Sequence, residues 1–169
     1  MTCYFFDTAA LQHRYVDGPY SKRVRRIISD RRWDSFIADV TILEIASALA
    51  RKCRKRNWNR RKYDALDMEF WKDVADRRLR IRETTQRDIL RARHLIRFAG
   101  VVGRREMGSA DALIGACCLD LALERRERVA FYTSDWTLYT ILRDLDAFRS
   151  TLVLRYVGQG KAGIPTETG

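Results

Sequence analysis

Four acidic side chains stand where predicted strands end or predicted helices begin: Asp7, Glu44, Asp111 and Asp135. Asp7 directly follows a short apolar run, and Asp135 follows the segment VAFYTS. Carboxylates gathered at one place repel, because a like-charged pair about 4 Å apart costs about 4 kcal/mol at an effective dielectric of about 20. A hard divalent cation, Mg²⁺ or Mn²⁺, neutralises such a group and needs neither histidine nor cysteine. A site of this kind can activate water for attack at phosphorus.

Each acid also has a purely structural interpretation. An acid at a helix N-terminus accepts hydrogen bonds from free amides and opposes the helix dipole, as Asp7, Asp111 and Asp135 would do. Thr41 and Glu44 also match the Ser/Thr-x-x-Glu capping box. Capping therefore explains any one acid taken alone, whereas a metal site explains why all four are expected at one edge.

Alternating strands and helices are predicted along the chain. Apolar runs predict strands at residues 3–6, 36–40, 78–83, 128–133 and 151–157. Apolar residues at helical spacing predict helices at residues 8–16, 21–30, 41–52, 63–77, 85–98, 109–126 and 135–145. This order favours an α/β fold, a three-layer α/β/α sandwich with a mainly parallel central sheet. The carboxyl ends of parallel strands share one edge, where ligands bind at a switch in strand order, and we expect the four acids there.

The length and composition indicate one folded domain. A chain of 169 residues, 46% of them hydrophobic, is long enough to bury a core and has no low-complexity tract. We predict a single domain at residues 1–157 and a loose C-terminal tail at residues 158–169.

The charge of the chain is strongly positive, with 33 Lys and Arg against 22 Asp and Glu, a net charge of +11. This excess favours a polyanionic partner, nucleic acid before membrane, with a solvated basic surface as the alternative. The four cysteines form no CxxC pair, so we expect reduced thiols. The N-terminus is unlike a signal peptide and no run of about 18 apolar residues occurs, so we expect a cytoplasmic protein with no membrane partner.

Four segments in order resemble the motifs of PIN domains, specifically the small bacterial or archaeal type found as the VapC toxin of toxin–antitoxin pairs. They are FFDTAAL, VTILEIASAL, SADALIGACCLDLA and FYTSDWTL, and the resemblance spans residues 3–154. The chain departs from compact members by extra residues after His13 and after Cys53. Trp136 also stands where a charged residue is common in the family.

The resemblance implies a Mg²⁺- or Mn²⁺-dependent endoribonuclease that hydrolyses RNA phosphodiester bonds. Its catalytic and metal-binding residues would be Asp7, Glu44, Asp111 and Asp135. Thr8 and Thr133 match polar positions beside the first and fourth acids, where they would orient ligands. The resemblance further implies a cognate antitoxin protein as a partner, and we expect a homodimer.

A basic segment at residues 51–62 is a candidate RNA-binding surface. It holds eight cations around one tryptophan: Arg51, Lys52, Arg54, Lys55, Arg56, Trp58, Arg60, Arg61 and Lys62. An aromatic ring among cations can stack on an unpaired base. A solvated helix end or an antitoxin contact would use the same residues, and both alternatives stay open.

Two other functions remain open. One is a PIN nuclease of RNA processing or decay that has no antitoxin. The other is a non-catalytic, basic nucleic-acid-binding module in which the acids only cap helices. A haloacid-dehalogenase-type phosphatase is disfavoured because Ala9 replaces the second acid of its DxD motif.

Overall fold

The apolar runs of the sequence form a five-stranded sheet in the computed structural model, which describes residues 3–158. The strands are β1 (Cys3–Phe6), β2 (Asp34–Ala38), β3 (Arg80–Arg82), β4 (Val129–Thr133) and β5 (Leu152–Tyr156). Their order across the sheet is β3-β2-β1-β4-β5, and all four strand pairs are parallel. The predicted fold class is thus confirmed.

Within residues 3–158, eight α-helices connect or follow these strands. They are α1 (Thr8–Tyr15), α2 (Ser21–Ser29), α3 (Val40–Lys55), α4 (Arg60–Ala75), α5 (Gln86–Arg97), α6 (Ser109–Arg125), α7 (Trp136–Arg143) and α8 (Asp146–Thr151). A π-helical turn, Phe98–Val102, continues α5. The sequence prediction missed this turn and α8, because α8 has six residues and buries only Phe148, too little for a periodic pattern.

The central strands are buried on both faces, which explains why their sequences are continuously apolar. On one face, Phe5 packs with Phe131 against α5, α6 and α7. On the other, Phe6 stacks on Tyr132, with ring centroids 5.3 Å apart, and packs against α1 to α4. The sheet therefore lies between two helical layers.

Strand order reverses at β1. The chain passes from β1 to β2 and β3 on one side and then returns to β4 and β5 on the other. Such a reversal leaves a crevice at the carboxyl ends of the two strands that flank it. Asp7 immediately follows β1 and Asp135 closely follows β4, so both lie at this point.

The predicted tail lies outside the described residues, apart from Gly158. Within residues 3–158, no helix has the length and apolar character needed to cross a bilayer.

Candidate metal centre

Asp7 is a buried carboxyl group, with 1% of its surface exposed. One carboxylate oxygen accepts a hydrogen bond from the amide of Ala10 at 2.6 Å, and the other accepts one from the hydroxyl of Thr133. Burial raises the pKa of Asp7 to about 7, with smaller contributions from the negative charges of Asp111 and Asp135. The two hydrogen bonds oppose this rise without cancelling it. Asp7 thus caps α1, and burial makes ionisation of its carboxyl group unfavourable.

Thr133 connects the first and fourth acids. Its hydroxyl donates to Asp7 and accepts a hydrogen bond from the amide of Asp135 at 2.8 Å. The Asp135 carboxylate in turn caps α7, accepting from the amide of Leu138 at 2.9 Å. The structure therefore places Thr133 in direct contact with Asp7, at the position expected of a residue that orients this carboxylate.

Glu44 enters the site from α3 and is held by Thr8. The Thr8 hydroxyl donates to a carboxylate oxygen of Glu44 at 2.6 Å, which ties α1 to α3. The predicted capping box is wrong, because α3 begins at Val40 and its N-cap is Asp39. Glu44 is the fifth residue of the helix rather than a first-turn residue, so its carboxylate is directed to Thr8 and not to a helix end.

Asp111 is the third residue of α6 and faces the other acids. Burial, together with smaller contributions from the negative charges of Glu44 and Asp135, raises its pKa to about 6. The helix N-cap is Gly108, where an added Cβ would lie 3.0 Å from a carboxylate oxygen of Asp111. A side chain at residue 108 would therefore crowd this carboxylate.

Each of the four predicted acids lies within electrostatic reach of at least one other. Asp7 responds to the charges of Asp111 and Asp135, and Asp111 responds to those of Glu44 and Asp135. No three His, Cys, Asp or Glu side chains within residues 3–158 are arranged to hold a metal ion directly. Mg²⁺ uses one or two protein carboxylates and keeps several waters, so a three-carboxylate cage is not required. The all-oxygen donor set fits Mg²⁺ or Mn²⁺.

A cleft of about 490 Å³ opens onto two of the acids. Its lining residues come from α6, α7 and the loop before α6: Arg105, Glu106, Met107, Gly108, Asp111, Asp135, Thr137, Leu138 and Ile141. Arg105 is held at 2.6 Å by Asp144. The sequence analysis assigned no role to Arg105 or Thr137, and the one available signal was the arginine pair that precedes the Asp111 helix.

The basic segment at residues 51–62 lies away from the acids. It covers the end of α3, the following turn and the start of α4. At 1.5 Å per residue, Lys55 is about 16 Å along the helix axis from Glu44. The Trp58 ring already contacts Arg56 at 5.0 Å and Lys62 at 5.5 Å. The segment's RNA-binding role stays a prediction.

Neither a family model nor a curated protein matches the sequence. Several solved structures share its fold, among them the following three. VapBC2 from Rickettsia felis, bound to a promoter DNA fragment, includes a chain with 12% identity and a TM-score of 0.59, with 92% of this chain and 99% of that chain covered. A chain of FitAcB from Neisseria gonorrhoeae has 17% identity and a TM-score of 0.59, with 88% of this chain and 95% of that chain covered. PAE2754 from Pyrobaculum aerophilum has 18% identity and a TM-score of 0.52, with 83% of this chain and 84% of that chain covered. The chain therefore has the parallel-sheet α/β fold of these proteins.

Proposed function

We propose that this protein is a metal-dependent endoribonuclease that holds Mg²⁺ or Mn²⁺ at four acids: Asp7, Glu44, Asp111 and Asp135. The observation that carries the proposal is the raised pKa of two carboxyl groups, Asp7 and Asp111, at the strand-order switch. Perturbed acids gathered at such a place are typical of functional sites. The fold shared with VapBC2 and FitAcB supports the same function.

The side chains of this site have separable tasks. A bound Mg²⁺ or Mn²⁺ would neutralise charge and lower the pKa of water for attack at phosphorus. Thr133 fixes one oxygen of Asp7, and Thr8 fixes one oxygen of Glu44, so both carboxylates are oriented in advance. Asp111 borders the cleft beside Asp135, where its carboxylate would bind the metal or a water held by it.

The net charge of +11 supports a polyanionic substrate. Arginine and lysine side chains, including those of residues 51–62, would hold RNA phosphates away from the acids. RNA rather than DNA follows from the resemblance to PIN ribonucleases.

A toxin of a type II toxin–antitoxin pair is the biological role that we propose. The fold match to VapBC2, and to FitAB bound to a DNA fragment, supports an antitoxin protein as the partner. In this role the protein is cytoplasmic and homodimeric. Expression that arrests growth, relieved by the product of a neighbouring gene, would support it; growth unaffected by expression favours RNA processing or decay.

Cleavage of labelled single-stranded RNA in Mg²⁺, Mn²⁺ or EDTA tests the nuclease. Three variants remove charge and keep a side-chain oxygen that can accept a hydrogen bond: Asp7→Asn, Glu44→Gln and Asp135→Asn. We expect all three to fold and to lose cleavage, because the local hydrogen bonds need an oxygen and a metal needs the charge. Asp146→Asn is the matched control, since Asp146 is an exposed acid that starts α8 at the opposite edge of the sheet. Cleavage by folded Asp7→Asn at the unmodified rate would overturn the proposal.

A further inference from the structure

Three aromatic rings cluster directly beside Asp135. Trp136 and Tyr139 stack with centroids 5.4 Å apart and planes 25° from parallel. Tyr156 contacts both rings, at 5.1 Å from Trp136 and 5.6 Å from Tyr139. We call these three residues the aromatic cluster.

The sequence delivers the aromatic cluster to the edge that carries the acids. Trp136 is the first residue of α7, and Tyr139 follows at i+3, so the two side chains share a helix face. Tyr156 ends β5, and it pairs in register with Thr133, the residue that hydrogen-bonds Asp7. Paired residues on neighbouring strands lie about 4.8 Å apart, so the aromatic cluster begins one strand away from the acids.

Tyr156 has a defined orientation within the aromatic cluster. Its ring lies against the Cα of Gly158, where an added Cβ would approach the ring to 2.3 Å. Burial raises the pKa of the Tyr156 hydroxyl, and the nearby Asp135 carboxylate contributes to this rise. The hydroxyl therefore stays protonated at neutral pH, where it offers a hydrogen-bond donor near Asp135.

A role in covering the edge of the sheet does not explain why the rings of the aromatic cluster keep exposed surface. Rings that serve the core, such as Phe131 and Phe148, are fully or almost fully buried. Each ring of the aromatic cluster is only partly buried, although all three lie among packed elements. Aromatic rings that keep surface in contact with water can stack on nucleobases, and every base offers a face for this contact.

We propose that the aromatic cluster is a subsite that stacks an unpaired nucleobase next to the scissile phosphate. The inference rests on the proposed function, because the acids beside it place that phosphate. It restricts the substrate to single-stranded RNA, since the bases of a duplex are already stacked on one another.

Fluorescence of Trp136 tests the subsite directly. Substituting Trp33, Trp58 and Trp71 by Phe leaves Trp136 as the reporter in the full chain. The probes are a short single-stranded RNA and an oligomer of the same length with every base removed, both in EDTA so that hydrolysis is prevented. We expect quenching by the intact RNA and a Kd about 5- to 100-fold higher for the baseless oligomer. Equal Kd values for the two probes would overturn the proposal, whatever any variant does.

Substitutions then separate the subsite from the nuclease. Trp136→Leu should raise the Kd for RNA by a similar factor, and in Mn²⁺ should raise KM far more than it lowers kcat. Trp136→Phe should keep most of the affinity, and Trp71→Leu, which removes an exposed ring of α4, should change neither value. If the protein cleaves RNA and Trp136→Leu leaves KM unchanged, the subsite is wrong and the nuclease stands. If base-dependent binding is seen without cleavage by any metal-loaded protein, the nuclease and its scissile phosphate are wrong, and base stacking by the aromatic cluster stands.

Discussion

The Asp7 carboxyl group should destabilise the metal-free protein at neutral pH. Its pKa rises from an ordinary 3.8 to about 7 on folding. Below pH 3.8 the group is protonated in both states and contributes nothing. As the pH rises from 3.8 to about 7, the unfolded chain ionises and the folded chain does not, so stability is lost. A shift of about 3 units at about 1.36 kcal/mol each gives a penalty of about 4 kcal/mol above pH 7.

Asp7→Asn removes this penalty and keeps the local contacts. The Asn oxygen can accept from the Ala10 amide, and the Asn amide can donate to Thr133. The Thr133 hydroxyl can then turn to the carbonyl of Asp135, which is 3.4 Å away. We therefore expect the variant to gain up to about 4 kcal/mol relative to the unmodified protein between pH 4 and pH 8.

Urea denaturation in EDTA, followed by circular dichroism across this pH range, measures the gain. Addition of Mn²⁺ should stabilise the unmodified protein and leave Asp7→Asn unchanged, because ligand binding to the folded state alone raises stability. Asp146→Asn is the control for removal of an exposed charge. A difference that does not grow with pH, or equal stabilisation of both proteins by Mn²⁺, would refute the reasoning.

Three further variants test other parts of the molecule. Thr133→Val removes the donor to Asp7 and should weaken Mn²⁺ binding about 10- to 100-fold in calorimetry, whereas Thr133→Ser should restore it; equal affinity in Val and Ser variants would contradict this role. Asp73→Asn leaves the buried Arg14 guanidinium without its 2.8 Å carboxylate partner and should cost about 3–5 kcal/mol in urea denaturation; a loss under about 1 kcal/mol would contradict it. Serine at residues 60–62 should flatten the salt dependence of RNA affinity by about 0.7 per lost phosphate contact, and an unchanged slope would exclude this segment from the RNA interface.

The sequence was sufficient to predict the layers and the edge that carries the acids. Phe5 and Phe6 belong to a short apolar run that suits a strand buried on both faces, and the βα alternation then favours parallel pairing. The positions of Asp7 and Asp135 at this edge could then be predicted, because each residue comes shortly after the end of a central strand. These inferences depend on local pattern alone, which is why they succeeded.

Contacts between distant segments could not be predicted from local pattern. The hydrogen bond from Thr8 to Glu44 joins residues 36 positions apart, and only the packing of α1 on α3 creates it. The start of α3 was predicted one residue late, because Asp39 and not Thr41 caps the helix. Trp58 stood out as a ring among cations, but its contacts with Arg56 and Lys62 depend on the turn between α3 and α4.

The aromatic cluster also needed the fold to be recognised. Trp136 and Tyr139 are one turn apart in the sequence, but Tyr156 joins them only through the pairing of β5 with β4. In the sequence alone, Trp136 stands out solely as a departure from the family pattern. The register of β4 and β5 shows that Trp136 and its partner Tyr156 lie next to the acids.

Mn²⁺ binding to the unmodified protein and to Glu44→Gln, measured by electron paramagnetic resonance, tests the central claim most directly. Glu44 caps no helix, so its charge has no structural use that the amide would lack. If the acids hold a metal, the unmodified protein binds Mn²⁺ and folded Glu44→Gln binds it at least about tenfold more weakly. Equal binding by the two proteins, or no binding by either, would contradict the metal centre.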